Sequence, residues 1–201
     1  MYIMKNNQSG RSMVEMLGVL AIIGVLSAGG LAGYSKAMFK HKLNTTMDQF
    51  TMLVTNIRTM YGTQENYNNL SVGQAYSLGI VAASASMGGG HSQMVNPFKG
   101  KVLLAPATVR TGVNNSGFTI TYTGLPKEAC IALATADWGT GAGSGFITSC
   151  ADGGDATAAL TGNTCVGETT TGEASEGQAY DVAGAITACD GNTNTVTVYF
   201  Y

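Results

Sequence analysis

Charge is scarce in this chain. Asp, Glu, Lys and Arg make up only 11 % of its 201 residues, and the stretch 128–201 contains no base at all. With a net charge of −2, no nucleic-acid partner is predicted. Histidine is scarcer still: His41 and His91 are the only two, and neither has a Cys, Asp or Glu nearby at metal-ligand spacing. No nucleophile motif accompanies the available Ser, Asp and His residues. The expectation is therefore a non-enzyme with no catalytic residue, metal or cofactor. Asp152 and Asp155 stand in Ala-Asp-Gly-Gly-Asp, too few ligands for a calcium loop, and turn chemistry accounts for them more simply. CxxC pairs are missing too. Cys130, Cys150, Cys165 and Cys189 are even in number and widely spaced, which fits disulfides in an oxidising compartment better than zinc or redox chemistry. Trp138, the only tryptophan, reads as a packed or half-buried ring, with a receptor contact as the alternative.

What is abundant is glycine, 28 residues, together with Thr, Ser and Ala, the composition of a loop-rich, partly β, extracellular-type domain. One uncharged stretch stands apart. Residues 16–35 would span about 30 Å as a helix, the thickness of a bilayer's hydrocarbon core. Glu15 lies at its lip, where a carboxylate is costly unless neutralised. Two readings stay open: a carboxylate just outside the bilayer, or one paired with a cation inside an assembly.

Ahead of Glu15 runs a short polar leader with one base, ending at Gly10. The only obvious processing site thus precedes the apolar helix, whereas a secretory signal is cut after it. Gly10, a new amino terminus at Arg11 and Glu15 as the fifth residue beyond the glycine resemble the prepilin-type signal of type IV pilins. The resemblance implies cleavage after Gly10 by a prepilin peptidase and N-methylation at Arg11, although an apolar residue is usual at that position. It also implies that Glu15 pairs with the terminal amine of a neighbouring subunit, setting the axial register of a filament. An unpaired charge in low dielectric is costly, so such a pair checks register as well as attracting.

Beyond the span, Leu43, Met47, Phe50, Val54, Ile57 and Tyr61 recur at spacings of four and three, an amphipathic stripe. One helix over 11–61 is expected, with a transmembrane or filament-core part at 13–35, an amphipathic half at 36–61 and Gly62 as a left-handed terminator. It would be too long for one compact domain, so its first half must project. Glycines 18, 24, 29, 30 and 33 face lipid or pack helices, or else Gly29, Gly30 and Gly33 mark where the helix can stretch or melt within a filament. A globular α+β head fills 62–201. Within it the pattern predicts a short helix near 71–78, a flexible piece at 87–91, strands at 102–109 and 118–123 around Asn114-Asn115-Ser116-Gly117, and one apolar face on the second strand. A helix is expected from Pro126 to about Ala136, and a strand over 195–201. Residues 139–190 resist assignment.

Asn96-Pro97-Phe98 and the passage from Gly124 to Cys130 resemble the globular domains of the type IVb subgroup. That resemblance implies the type IV pilin fold: a helix packed on an antiparallel sheet, a terminal strand inside that sheet, and a disulfide-bounded region at 130–189. Four cysteines allow three pairings, and the sequence chooses none. The resemblance favours Cys130 with Cys189, leaving Cys150 with Cys165.

Orientation meets a conflict. Lys5 and Arg11 precede the span while Lys36, Lys40 and Lys42 follow it, a bias against a periplasmic head. The distal cysteines and the leader argue for one, and they prevail. The basic collar after the span and the nine acids of 128–201 are either plain solvated surface or complementary faces of neighbouring subunits.

The expected function is a structural subunit of a type IVb pilus, stored in the inner membrane and assembled into a surface filament for adhesion, aggregation or conjugative contact. Expected partners are other pilin subunits, the prepilin peptidase, the inner-membrane assembly machinery and a possible cell-surface receptor. Two alternatives are a minor pilin or type II secretion pseudopilin, and a membrane-anchored periplasmic binding protein.

Overall fold

The computed structural model describes residues 13–81, 86–88, 90–110, 112–139, 144–154 and 180–201. The chain divides into two units, residues 1–41 and 42–201. Helix α1, Met13–Tyr61, contributes to both.

In the first unit every residue from 13 to 38 is solvent-exposed. α1 runs without a break through Gly29, Gly30 and Gly33 in the single chain. A Cβ placed on any of its five glycines would meet nothing within 4 Å.

The second unit is built on the amphipathic half of α1. Its buried residues are Thr46, Phe50, Leu53, Ile57 and Tyr61, spaced by four and three. Phe50, Ile57 and Tyr61 are buried as the stripe requires, while Leu43, Met47 and Val54 are not. Leu53 is buried where Val54 was expected, and Thr46 takes the place of Leu43 and Met47, which are only half-buried. Thr46 can be buried because its hydroxyl donates to the Lys42 carbonyl at 2.8 Å.

Gly62 ends α1 for a reason other than the expected one. It is not among the residues with positive φ, but a Cβ there would lie 2.8 Å from the Arg58 carbonyl oxygen. The left-handed terminator is instead Gly79, with φ of 72°, closing α2 (Val72–Ser77). Ser71 caps the start of α2, accepting from the Gln74 amide at 3.3 Å.

Six strands form one antiparallel sheet in the order β1-β2-β3-β4-β6-β5. The segment expected to be a flexible piece, 87–91, begins within β1, Ser86–Gly88, and ends in the turn that leads to β2, Gln93–Val95, where Gly90 and His91 are left-handed. Met94 explains the order: it is 1 % exposed and pairs with Val102 of β3, so the hairpin is fastened to the sheet. β3, Lys101–Ala107, stops two residues early because the amides of Val109 and Arg110 both donate to the Ser116 hydroxyl, at 3.1 and 2.9 Å. β4, Gly117–Leu125, is longer than expected; it has the one apolar face predicted, and its other face is buried as well. Thr119, Thr121 and Thr123 are all buried, and the hydroxyls of Thr121 and Thr197 bond to each other at 2.8 Å, so the second face is polar yet satisfied.

α3, Lys127–Ala134, begins after Pro126 and ends two residues before Ala136, where Thr135 caps it. β5, Phe146–Asp152, and α4, Val182–Ala188, lie in the region that the sequence left unassigned. β6, Asn194–Phe200, sits between β4 and β5, so the terminal strand is internal.

Pairing across the sheet places Tyr122 opposite Val196, Ile120 opposite Val198 and Phe118 opposite Phe200. These side chains share the face that receives α1. Phe50 meets Trp138, Tyr122 and Phe200, with ring centroids 4.0, 5.7 and 6.0 Å apart. The Tyr122 hydroxyl donates to Gln49 Oε1 at 3.1 Å, locking the helix in register, and complete burial pushes that phenol's pKa upward.

Candidate assembly surface and disulfide head

The candidate site has two parts, an apolar rod and a cross-linked head. On the rod, Met13, Val14, Leu17, Leu20, Ile22 and Val25 each leave 61 % or more of their surface exposed. The most apolar eighteen-residue window has a mean hydropathy of 2.1 and no residue buried within the protein, long and apolar enough to cross a membrane. Such a surface is unstable in water and calls for lipid or other apolar helices. Glu15 lies in the first turn of α1, where the helix dipole favours an anion. It is solvent-exposed in the single chain. Gly10 and Arg11 lie outside the described residues, so the expected pairing of Glu15 with an Arg11 amine has no geometry here. Of the basic collar, Lys36 and Lys40 are exposed and Lys42 is half-buried.

In the head, Cys130 and Cys189 form a disulfide with Cα atoms 5.9 Å apart. The bond ties α3 to the residue that caps α4, and both sulfurs' residues are fully buried. Cys150 is also disulfide-bonded. Cys165 lies outside the described residues.

The remaining candidates resolve into packing. Trp138 is half-buried, its ring packed at a tilt of 34° against Phe50, and its Nε1 donates to the Leu133 carbonyl at 3.2 Å, as the packed or half-buried reading expects. His91 stacks on Tyr76 with centroids 4.0 Å apart and planes within 9°. Asp152 is exposed at the end of β5, and Asp155 lies outside the described residues. Among the described residues no three His, Cys, Asp or Glu side chains cluster as metal ligands.

Two residues that organise the head escaped the sequence reading. Asn96 is 3 % exposed; its Nδ2 donates to the Thr123 carbonyl at 2.8 Å while its Oδ1 accepts from the Phe98 and Gly100 amides at 2.9 and 3.0 Å. The Asn96-Pro97-Phe98 passage stood out as a resemblance, but the side-chain bond of Asn96 across the sheet did not. Asn194 similarly donates to the Leu125 and Gly191 carbonyls at 3.1 and 3.0 Å.

Helix, sheet order and disulfide together define the type IV pilin fold. A type IVb pilin from Salmonella typhi superposes with a TM-score of 0.51 at 20 % identity, covering 77 % of this chain and 97 % of that one. TcpA, a type IV pilin from Vibrio cholerae El Tor biotype, gives 0.52 at 17 % identity, covering 80 % and 99 %. The family described as PilS N terminal matches residues 40–200, and the chain belongs to that family. It is also 27 % identical over 138 residues to the major structural subunit of bundle-forming pilus of Escherichia coli O127:H6 (strain E2348/69 / EPEC), covering 69 % of each protein. The protein of the same description from Escherichia coli O111:H- gives the same figures.

Proposed function

We propose that this chain is a structural subunit of a type IVb pilus, held in the inner membrane by residues 13–35 and then assembled with its copies into a surface filament. The observation that carries this reading is the wholly exposed apolar half of α1, led by Glu15, on a chain whose residues 40–200 match the PilS family. The likeness to a major subunit supports the filament-building role over that of a minor pilin.

Assembly follows from solvation. An apolar rod is stable in a bilayer and in a bundle of similar rods, so moving from one to the other costs little hydrophobic energy. Charge then selects the register. Glu15 leaving the lipid surface loses solvation and regains it only beside a cation, for which the Arg11 terminal amine of a neighbouring subunit is the partner. A prepilin peptidase would expose that amine by cutting after Gly10, and methylation would keep its charge. The head sits in the periplasm before assembly, where the disulfides form, and faces the medium afterwards, where it serves adhesion, aggregation or cell contact. The work is mechanical and adhesive, with no reaction catalysed.

Glu15→Ala tests this directly. Membrane insertion and the folded head should persist while surface filaments, counted by electron microscopy, disappear. Normal filaments from that variant would sink the pairing.

A further inference from the structure

The uncharged span of α1 ends abruptly. Ser35, its last residue, donates its hydroxyl to the Leu31 carbonyl at 3.0 Å and so carries no unsatisfied donor into an apolar zone. Lys36 follows directly and Lys40 stands one turn later, both exposed. Tyr34, just before them, leaves 65 % of its surface exposed. At about 3.6 residues per turn, Lys40 lies roughly 40° round the helix from Lys36, and Tyr34 lies roughly 160° round, on the opposite side. Two cations and a phenol thus ring the helix within about 9 Å along its axis.

No acid offsets these charges. Between Glu15 and Asp48 the chain holds no Asp or Glu, so α1 offers neither lysine an i, i+4 partner. A lysine stem lies along apolar surface while its ammonium seeks the polar layer, and a tyrosine ring favours the same boundary. What surrounds a membrane helix at that level is the headgroup layer, and its negative charge is what lysine recognises. An acidic side chain of a neighbouring subunit would meet one side of the helix only.

We propose that Lys36 and Lys40, with Tyr34, form a site for the headgroups of anionic phospholipid in the leaflet where the span ends. The site rests on the membrane anchoring by residues 13–35 proposed above. Its effect reaches Glu15. Rise along α1 puts Lys36 about 30 Å from Glu15, the thickness of the hydrocarbon core. Lysines held in one headgroup layer therefore keep the carboxylate at the other, at the depth where a neighbour's amine can meet it.

The test reconstitutes the full-length chain into phosphatidylcholine vesicles that carry a trace of spin-labelled phosphatidylglycerol or spin-labelled phosphatidylcholine. Electron spin resonance reads the fraction of each label slowed by contact with protein. Averaged over all lipids that touch the helix, a gain of roughly fivefold per lysine at an anionic surface leaves an expected preference for phosphatidylglycerol of about threefold. That preference should fade as sodium chloride rises from about 0.1 to 1 M. It should vanish in the Lys36→Gln/Lys40→Gln variant and persist in Lys36→Arg/Lys40→Arg, which keeps the charge. A preference unchanged in the Gln variant belongs to Lys5 and Arg11 at the other end of the span and overturns the proposal. Equal fractions of the two labels for wild type overturn it too. A loss of pili from the Gln variant, counted by electron microscopy, would then assign the lysines to acids of a neighbouring copy. Alkaline carbonate tells the site from the anchor. A wild-type chain that carbonate extracts from the vesicles sinks anchor and site together, whereas one that stays with equal fractions sinks the site alone.

Discussion

A few side chains in the head do most to fix its geometry, and Asn96 shows how. It satisfies one carbonyl and two amides from a nearly inaccessible position, joining the β2–β3 turn to β4. Asn96→Ala leaves all three without that partner, and a loss of about 2 to 4 kcal/mol is expected from the usual cost of buried unsatisfied groups. Urea unfolding of the variant would measure it; a change within error would show that water replaces the amide. Tyr122 makes a pH argument. Its phenol is held neutral by burial, so its pKa in the folded head lies above the ordinary 10.0. The stability this contributes is present below pH 10 and is lost as pH rises further, because the unfolded chain then releases a proton that the folded one keeps. Tyr61, Tyr67 and Tyr180 shift the same way. Tyr122→Phe should therefore cost about 1 kcal/mol at pH 7 for the lost bond to Gln49, and should flatten the fall in stability above pH 10. A melting series across pH 7 to 11 would check both.

Among the elements, α1 and α3 are held by different means. The amphipathic half of α1 is held by packing, with Phe50 at the centre of Tyr122, Trp138 and Phe200. Phe50→Ala should cost about 3 to 5 kcal/mol through transfer and cavity terms. By contrast, α3 and α4 are short, 8 and 7 residues, and neither would be stable in isolation. Cys130–Cys189 makes up for this by closing a separation of 59 residues. Cys130→Ser should lower stability by about 2 to 5 kcal/mol, seen as faster proteolysis and lower abundance. Unchanged protease resistance would mean that packing alone holds α3.

Considered whole, the molecule joins a surface that water disfavours to a head that water tolerates. Few charges and a one-sided distribution of them fit a body that packs against copies of itself. If the basic collar at Lys36, Lys40 and Lys42 meets acidic surface of a neighbour, assembly weakens as salt rises from about 0.1 to 1 M, because the screening length falls from roughly 10 to 3 Å. Turbidity or sedimentation of sheared filaments across that range would show it. Salt-independent assembly would leave the collar as ordinary solvated surface.

The amino-acid sequence by itself determined the parts whose physics is local. The long helix, the apolar half and its acid, the short helix near 71–78, the strands before and after Asn114 to Gly117 and the final strand all declare themselves through periodicity and turn residues near in the chain. Residues 139–190 did not, because β5 and α4 carry weak periodicity among glycine and small polar residues, and each is stabilised by elements far away in sequence. Only tertiary structure decided that Leu53 and not Val54 is buried, that β4 is covered on both faces, that Asn96 bridges to Thr123, and that Arg58 ends up facing aromatic rings. Each of those outcomes depends on what the fold brings opposite a side chain, and burial converts a neighbour's identity into free energy that no spacing along the chain encodes.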